Sequence, residues 1–196
     1  MTISGSPDPR FLIGATGSIA VTRLPEYLAA LRAAFSGSYT VLMTRTATTF
    51  LPPHTVGLSA ERVIAGEEPQ DWPTDKPSRL AADHDIVLVL PATANVLAAA
   101  AGGAAPNRLT TVLLATETPV LFFPHMGAAM WRNPAVRRNV TRIREDGRTV
   151  VDPVEHTDRD VVTGVVATHP ALPGPGAVVD AVRPVVAALA GAGTTA

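Results

Sequence analysis

The chain has no cysteine in 196 residues, which excludes disulfides, thiolate nucleophiles and cysteine-ligated metals at once. Charge is sparse too. Only 17% of residues are charged and the formal net charge is -1, so a broad polyanion-binding surface is excluded and no nucleic-acid partner is expected. Arg137, Arg138, Arg142 and Arg144 form a local basic exception. The apolar runs are too short or too interrupted to span a bilayer, and the opening MTISGSPDPR lacks the basic flank and apolar stretch of a secretory signal. The expected location is therefore cytoplasmic, with no membrane partner.

What is there is a globular composition, 46% hydrophobic, with 18 prolines set mostly outside the periodic segments. The length suits one domain over residues 1–196. RFLIGATGSIAVTRLPEYLAALRAAF reads as a short strand, a glycine-bearing turn and a helix spaced on Leu24, Leu28 and Leu31. YTVLMT (39–44) is a second buried strand, followed by a hydroxyl-rich loop, TRTATTF. GLSAERVIAGE is expected to form a helix capped by Ser59, and EEPQDWPTDKP a surface loop. DIVLVLP (85–91) is a continuous apolar run of the kind found in strands covered on both faces. Next come the helix ATANVLAAAAGG, the amphipathic helix NRLTTVLLAT and the strand PVLFFP (119–124). A helix over 134–145 starts at Asn133 and Pro134 and turns Val136, Val140 and Ile143 to one face. TVVDP (149–153) is a last candidate strand, a flexible flap or linker is expected around 155–176, and a C-terminal helix near 177–190. The alternation predicts an α/β three-layer domain, flavodoxin-like or Rossmann-like, with a mostly parallel sheet.

In such sheets ligands bind beyond the carboxyl ends of the strands. Here those ends carry GATGSIA, TRTATTF, PATAN and PHMGAAMW. Gly14, Thr16, Gly17 and Ser18 can curl around a phosphate at a helix start, although neither G-x-G-x-x-G nor a P-loop is present. Thr44, Thr46, Thr48 and Thr49 read either as a solvated loop or as polar lining for a ligand.

Taken together, these ends resemble the homo-oligomeric flavin-containing cysteine decarboxylase family, in particular its lantibiotic-type peptidyl-cysteine decarboxylase branch. PATAN, Pro91 to Asn95, is similar to the family's PASAN-type flavin motif, and PHMGAAMW, Pro124 to Trp131, to its P-x-M-N-x-x-M-W substrate motif. The resemblance runs from about Phe11 to Pro153, LIGATGSIA matching the opening loop and LTTVLLAT the intervening helix. It implies that Thr16, Gly17, Ser18, Thr46 and Phe50 contact the flavin and its phosphate, with Pro91, Ala92, Thr93 and Asn95 beside it. Met126, Gly127, Met130 and Trp131 would lie on the substrate side. The cofactor implied is FMN, with FAD as the alternative; no metal is expected.

Two positions depart from the family pattern. Similar decarboxylases carry a catalytic histidine about fourteen residues before the PASAN proline, where this chain has Pro77, and an asparagine where it has Gly127. Proline cannot transfer a proton and glycine cannot hold a carboxylate. Candidate replacements are His54, just past the hydroxyl run, and His125, inside the second motif, since imidazole titrates near neutrality. His84, ahead of an apolar strand, reads as structural.

The implied reaction is oxidative decarboxylation of a C-terminal cysteine in a ribosomally made precursor peptide. Oxidised flavin takes two electrons from the cysteine side chain, and the resulting thioaldehyde loses CO2 to leave an enethiol for aminovinyl-cysteine formation. Homo-oligomeric assembly, as a trimer or dodecamer, is implied as well. The alternatives are a catalytically silent flavin-binding scaffold or partner subunit, and a flavin prenyltransferase. Phosphopantothenoylcysteine decarboxylases use a cysteine of their own to reduce the enethiol, and this chain has none.

Overall fold

The computed structural model describes residues 8–66, 72–159 and 164–192. Part of the loop expected around EEPQDWPTDKP (67–71) and the middle of the expected flap (160–163) lie outside the described residues.

Six strands form one sheet: β1 (Arg10–Ala15), β2 (Ser38–Met43), β3 (Arg62–Ala65), β4 (Ile86–Ala92), β5 (Val120–Pro124) and β6 (Thr149–Val150). Their order is β3-β2-β1-β4-β5-β6, and every neighbouring pair is parallel. Alternate residues of each strand feed two separate cores, because successive side chains leave opposite faces of a strand. Phe11, Ile13, Val41, Ile86, Leu88, Leu121 and Phe123 face one core, while Leu12, Leu42, Val87, Val89 and Phe122 face the other. Both faces are covered, and the strands therefore read as unbroken apolar runs.

The first face is covered by α1 (Leu24–Ala34), α2 (Arg45–Phe50), α3 (Pro53–Val56) and α10 (Pro175–Ala192), through Tyr27, Leu28, Leu31, Ala47, Val56, Val178 and Val182. Tyr39 of β2 stacks on Phe11 with centroids 4.7 Å apart, and its hydroxyl donates to the Leu31 and Phe35 carbonyls at 3.1 and 3.0 Å. Burial pushes that phenol up to about 12. A short α4 (Trp72–Asp75) leads to the second face, covered by α5 (Pro77–Ala82), α6 (Ala94–Gly102), α7 (Arg108–Ala115) and α9 (Pro134–Glu145) through Leu80, Leu97, Leu109, Val112, Val140 and Ile143. Gly14 lets β1 approach α7 closely, since a Cβ there would stand 2.6 Å from Leu109 Cδ1. Among the described residues no helix is long and apolar enough to cross a membrane.

Three sequence expectations are corrected. GLSAERVIAGE is not a helix: Gly57, Leu58 and Ser59 are in a turn, and Arg62–Ala65 pair with β2 as an edge strand. Val63 and Ile64 are β-branched, and Ile64 finds a buried place in the second core that a helix would not have offered. TRTATTF is not a loop but α2, whose first turn is capped by the Thr44 hydroxyl accepting from the Ala47 amide. TVVDP pairs only over Thr149–Val150. The segment expected as a flap contains an antiparallel hairpin, β7 (Val154–Arg159) and β8 (Val166–Ala171), attached by α8 (Ala128–Arg132) to the body. Beyond it the chain is tied down, with Leu172 buried and the Pro173 carbonyl accepting from the Tyr27 hydroxyl at 2.9 Å.

His84 is structural. Its ring is buried, Nδ1–H donates to the Leu80 carbonyl at 2.7 Å, and burial holds it below the ordinary histidine value. Below about pH 6.5 the unfolded chain binds a proton that the folded chain refuses, so stability falls as pH drops from there toward the depressed folded value. Urea unfolding at about pH 7.5 and about pH 5 should show His84→Asn with the shallower acid loss of the two proteins.

Candidate functional site

The carboxyl ends of β2, β1, β4 and β5 are joined into one ledge by a series of hydrogen bonds. The Thr44 amide donates to the Ala15 carbonyl at 3.0 Å. Thr16 Oγ1 donates to the Pro91 carbonyl at 2.7 Å and accepts from the Thr93 amide at 3.1 Å. The His125 amide donates to the Ala92 carbonyl at 3.0 Å. Thr16 is 2% exposed, so its hydroxyl is a buried staple between the turns after β1 and β4. The Leu90–Pro91 peptide bond is cis.

Above this ledge, where the strand order reverses between β1 and β4, lies a cleft of about 260 Å³. It is lined by Thr16, Gly17, Thr44, Thr46, Thr93, Asn95, Val96 and Asn107. Gly17 is required by contact: a Cβ there would stand 2.4 Å from Thr46 Cγ2. Thr93 and Asn107 are the caps of α6 and α7, each accepting from an amide in the first helical turn. The cleft thus gathers two helix starts, hydroxyls and amides, and no carboxylate. Among the described residues neither the Thr46 hydroxyl nor the Asn95 side-chain amide has a partner within the chain. Such a lining fits the phosphate and polar edge of a flavin nucleotide, which needs neutral donors and a site free of repelling charge.

A second cleft of about 240 Å³ opens between α8 and the hairpin, lined by Ala128, Trp131, Arg132, Pro153, Val154, Glu155, Thr168, His169 and Pro170. Trp131 is half-buried and carries Arg137 over its ring, the guanidinium 5.0 Å from the centroid. His125, just past β5, is half-buried, with Nδ1 2.6 Å from Ser18 Oγ. Burial, and next the neighbouring His169, hold its pKa below the ordinary histidine value.

The sequence-derived residues therefore divide. Thr16, Gly17, Thr46, Thr93 and Asn95 line the first cleft; Ser18 adjoins it; Pro91 and Ala92 are buried strand residues whose carbonyls hold the ledge. Phe50, 43% exposed, and His54, exposed on α3, line neither cleft. Trp131 borders the second cleft, Met126 is buried in the second core, Gly127 caps α8, and Met130 is 50% exposed. Asn107 was missed as lining. Its signal was legible as a capping box with Thr110, but only the fold brings α7 to the end of β1. Pro77 begins α5 as a buried residue.

Comparison with known proteins agrees with this geometry. The Flavoprotein family pattern matches residues 4–183. Mersacidin decarboxylase of Bacillus sp. (strain HIL-Y85/54728) is 35% identical over 164 residues, 84% of each chain. The structure of MrsD from Bacillus sp. HIL-Y85/54728 superposes with a TM-score of 0.78 at 31% identity, covering 91% of this chain and 96% of that one. The FMN-dependent cysteine decarboxylase SpaF gives 0.72 at 31% identity over 90% and 97%. The chain spans only about a third of the coenzyme A biosynthesis bifunctional proteins it also matches. With the parallel sheet, the ledge at its switch point and a pattern spanning nearly the whole length all in agreement, the chain belongs to the Flavoprotein family.

Proposed function

We propose that the protein is an FMN-dependent peptidyl-cysteine decarboxylase acting on the C-terminal cysteine of a precursor peptide. The observation that carries this reading is the pair of clefts, one neutral and hydroxyl-lined, the other walled by Trp131 and the hairpin, with His125 in contact with Ser18, next to Gly17 of the first, and under the influence of His169 of the second. In this reading Thr16, Gly17, Thr46, Thr93, Asn95 and Asn107 hold the flavin, and Trp131 with β7 and β8 receives the peptide end. Bound flavin supplies the two-electron oxidation of the cysteine side chain that precedes loss of CO2. Similarity to mersacidin decarboxylase supports a decarboxylation, and similarity to the FMN-dependent cysteine decarboxylase SpaF supports a cysteine substrate and FMN over FAD. Homo-oligomeric assembly, as a trimer or dodecamer, belongs to the same reading. A cleft of about 260 Å³ falls below the roughly 300–1,000 Å³ usual for small-molecule sites, as expected if a second copy completes its wall.

Incubating the purified yellow protein with a peptide ending in cysteine tests the reading. A loss of about 46 Da, CO2 plus two hydrogens, is expected. Unchanged peptide mass with flavin retained would instead favour the silent scaffold.

Gly127→Asn is expected to raise turnover. A Cβ at Gly127 meets open space, its φ is -60°, and asparagine is a better N-cap for α8 than glycine. The side chain restores a donor for the substrate carboxylate, and a hydrogen bond to a charged group raises kcat/KM by roughly tenfold. Steady-state kinetics and a melting curve check both parts; folding stability should hold or rise slightly.

A further inference from the structure

We propose that His125, positioned by Ser18, takes the thiol proton of the peptide's terminal cysteine. The assignment rests on the decarboxylase reading above. Along the ledge the side chains are threonine, asparagine, serine and small apolar groups, apart from His125 and Arg45. Arginine stays protonated, which leaves His125 as the ledge residue able to exchange a proton near neutrality. His54 stands on α3, past the end of α2, in solvent.

One contact anchors the backbone of His125 and another its ring. The His125 amide donates to the Ala92 carbonyl at 3.0 Å, and Nδ1 lies 2.6 Å from Ser18 Oγ, which itself caps the 3-10 turn Ile19–Arg23 by accepting from the Ala20 amide. The assignment takes the tautomer in which Nδ1–H donates to Ser18 Oγ, so that Nε2 carries the lone pair and is the nitrogen left for a ligand. The groups around the ring are Ser18 from the turn after β1 and His169 from β8, with Arg132 of α8 and Glu155 of β7 lining the second cleft. Burial and His169 keep the imidazole neutral at pH 7, the state a proton acceptor needs.

In the step, the S–H bond breaks, its electron pair stays on sulfur, and the proton forms a bond to Nε2. The product is a thiolate beside an imidazolium. A thiol beside a histidinium ionises far below its ordinary value of about 8.5, so the pair is stable although free imidazole is the weaker base. The proton returns to sulfur as the enethiol forms, and His125 ends unchanged.

The test compares wild type, His125→Gln and Ser18→Ala, each as the flavin-loaded full-length protein with flavin content measured by absorbance. Wild-type kcat/KM should rise with pH through the depressed His125 value, then level off. His125→Gln should lose that limb and roughly 10²-fold in rate; Ser18→Ala, a change in a positioning residue, should keep the limb but shift it. The second readout needs no turnover: with the flavin chemically reduced, adding the cysteine-ending peptide should produce the ultraviolet band of a thiolate in wild type and not in His125→Gln. Failure of wild type to change the peptide's mass would overturn the decarboxylase reading. Wild-type conversion with the same pH limb and the same thiolate band in His125→Gln would overturn the assignment of His125 alone.

Discussion

Thr16→Val is expected to cost about 2–6 kcal/mol of folding stability and to strip flavin from the purified protein. The substitution keeps the shape of the side chain and removes one oxygen. That oxygen donates to the Pro91 carbonyl and accepts from the Thr93 amide, and Thr16 is 2% exposed. Losing it leaves a donor and an acceptor without their partner where water has little access, at about 1–3 kcal/mol each. The cost falls on the site as well as the fold. Thr93 caps α6, and the turns after β1 and β4 form two walls of the first cleft, so separating them widens the place where the flavin phosphate would sit. Urea unfolding and the visible spectrum of the purified variant measure the two effects. Wild-type stability with full flavin content would show that the staple does not hold the ledge.

Gly17→Ala carries the second large effect. The added Cβ would meet Thr46 at 2.4 Å from Cγ2 and 2.5 Å from Cβ. Thr46 is β-branched and sits in the first turn of α2, so it cannot swing clear as the tip of a long side chain would. Overpacking of this kind costs about 1–3 kcal/mol, and here both residues line the cleft. Flavin content should drop more than stability, because the methyl group pushes α2 away from the turn after β1. Adding Thr46→Gly removes the opposing atoms and should recover part of the flavin content, although a glycine in α2 costs about 1 kcal/mol of its own. If Gly17→Ala lowers flavin content as much in the Thr46→Gly background as it does in wild type, the contact with Thr46 is not what makes Gly17 necessary.

Local signals were legible where one strong physical reason acted alone. The helix at Pro134–Glu145 follows from Asn133, Pro134 and the spacing of Val136, Val140 and Ile143, and it forms as the spacing predicts. Reading failed where the deciding partner was distant. Val63 and Ile64 become strand residues because β2 offers them a parallel edge, which no local window contains. The hairpin Val154–Arg159 with Val166–Ala171 is mostly exposed, so burial imposes no apolar-polar alternation on it. Phe50 shows the same limit within the site. It follows a run of threonines that does reach the cleft, yet as the last residue of α2 it lies outside the lining.

The sequence by itself determined the α/β class, the ligand-bearing ends of four strands and the absence of cysteine chemistry. Each of these depends on periodicity, on residue type or on a motif contained in a few consecutive positions. The tertiary structure alone decided which of those residues meet. Ser18 and His125 are 107 positions apart, and Thr16 and Thr93 are 77 apart. Parallel pairing of β1 with β4 and of β4 with β5 brings their ends to one level, and it is this register that places Ser18 against His125 while leaving His54 in solvent.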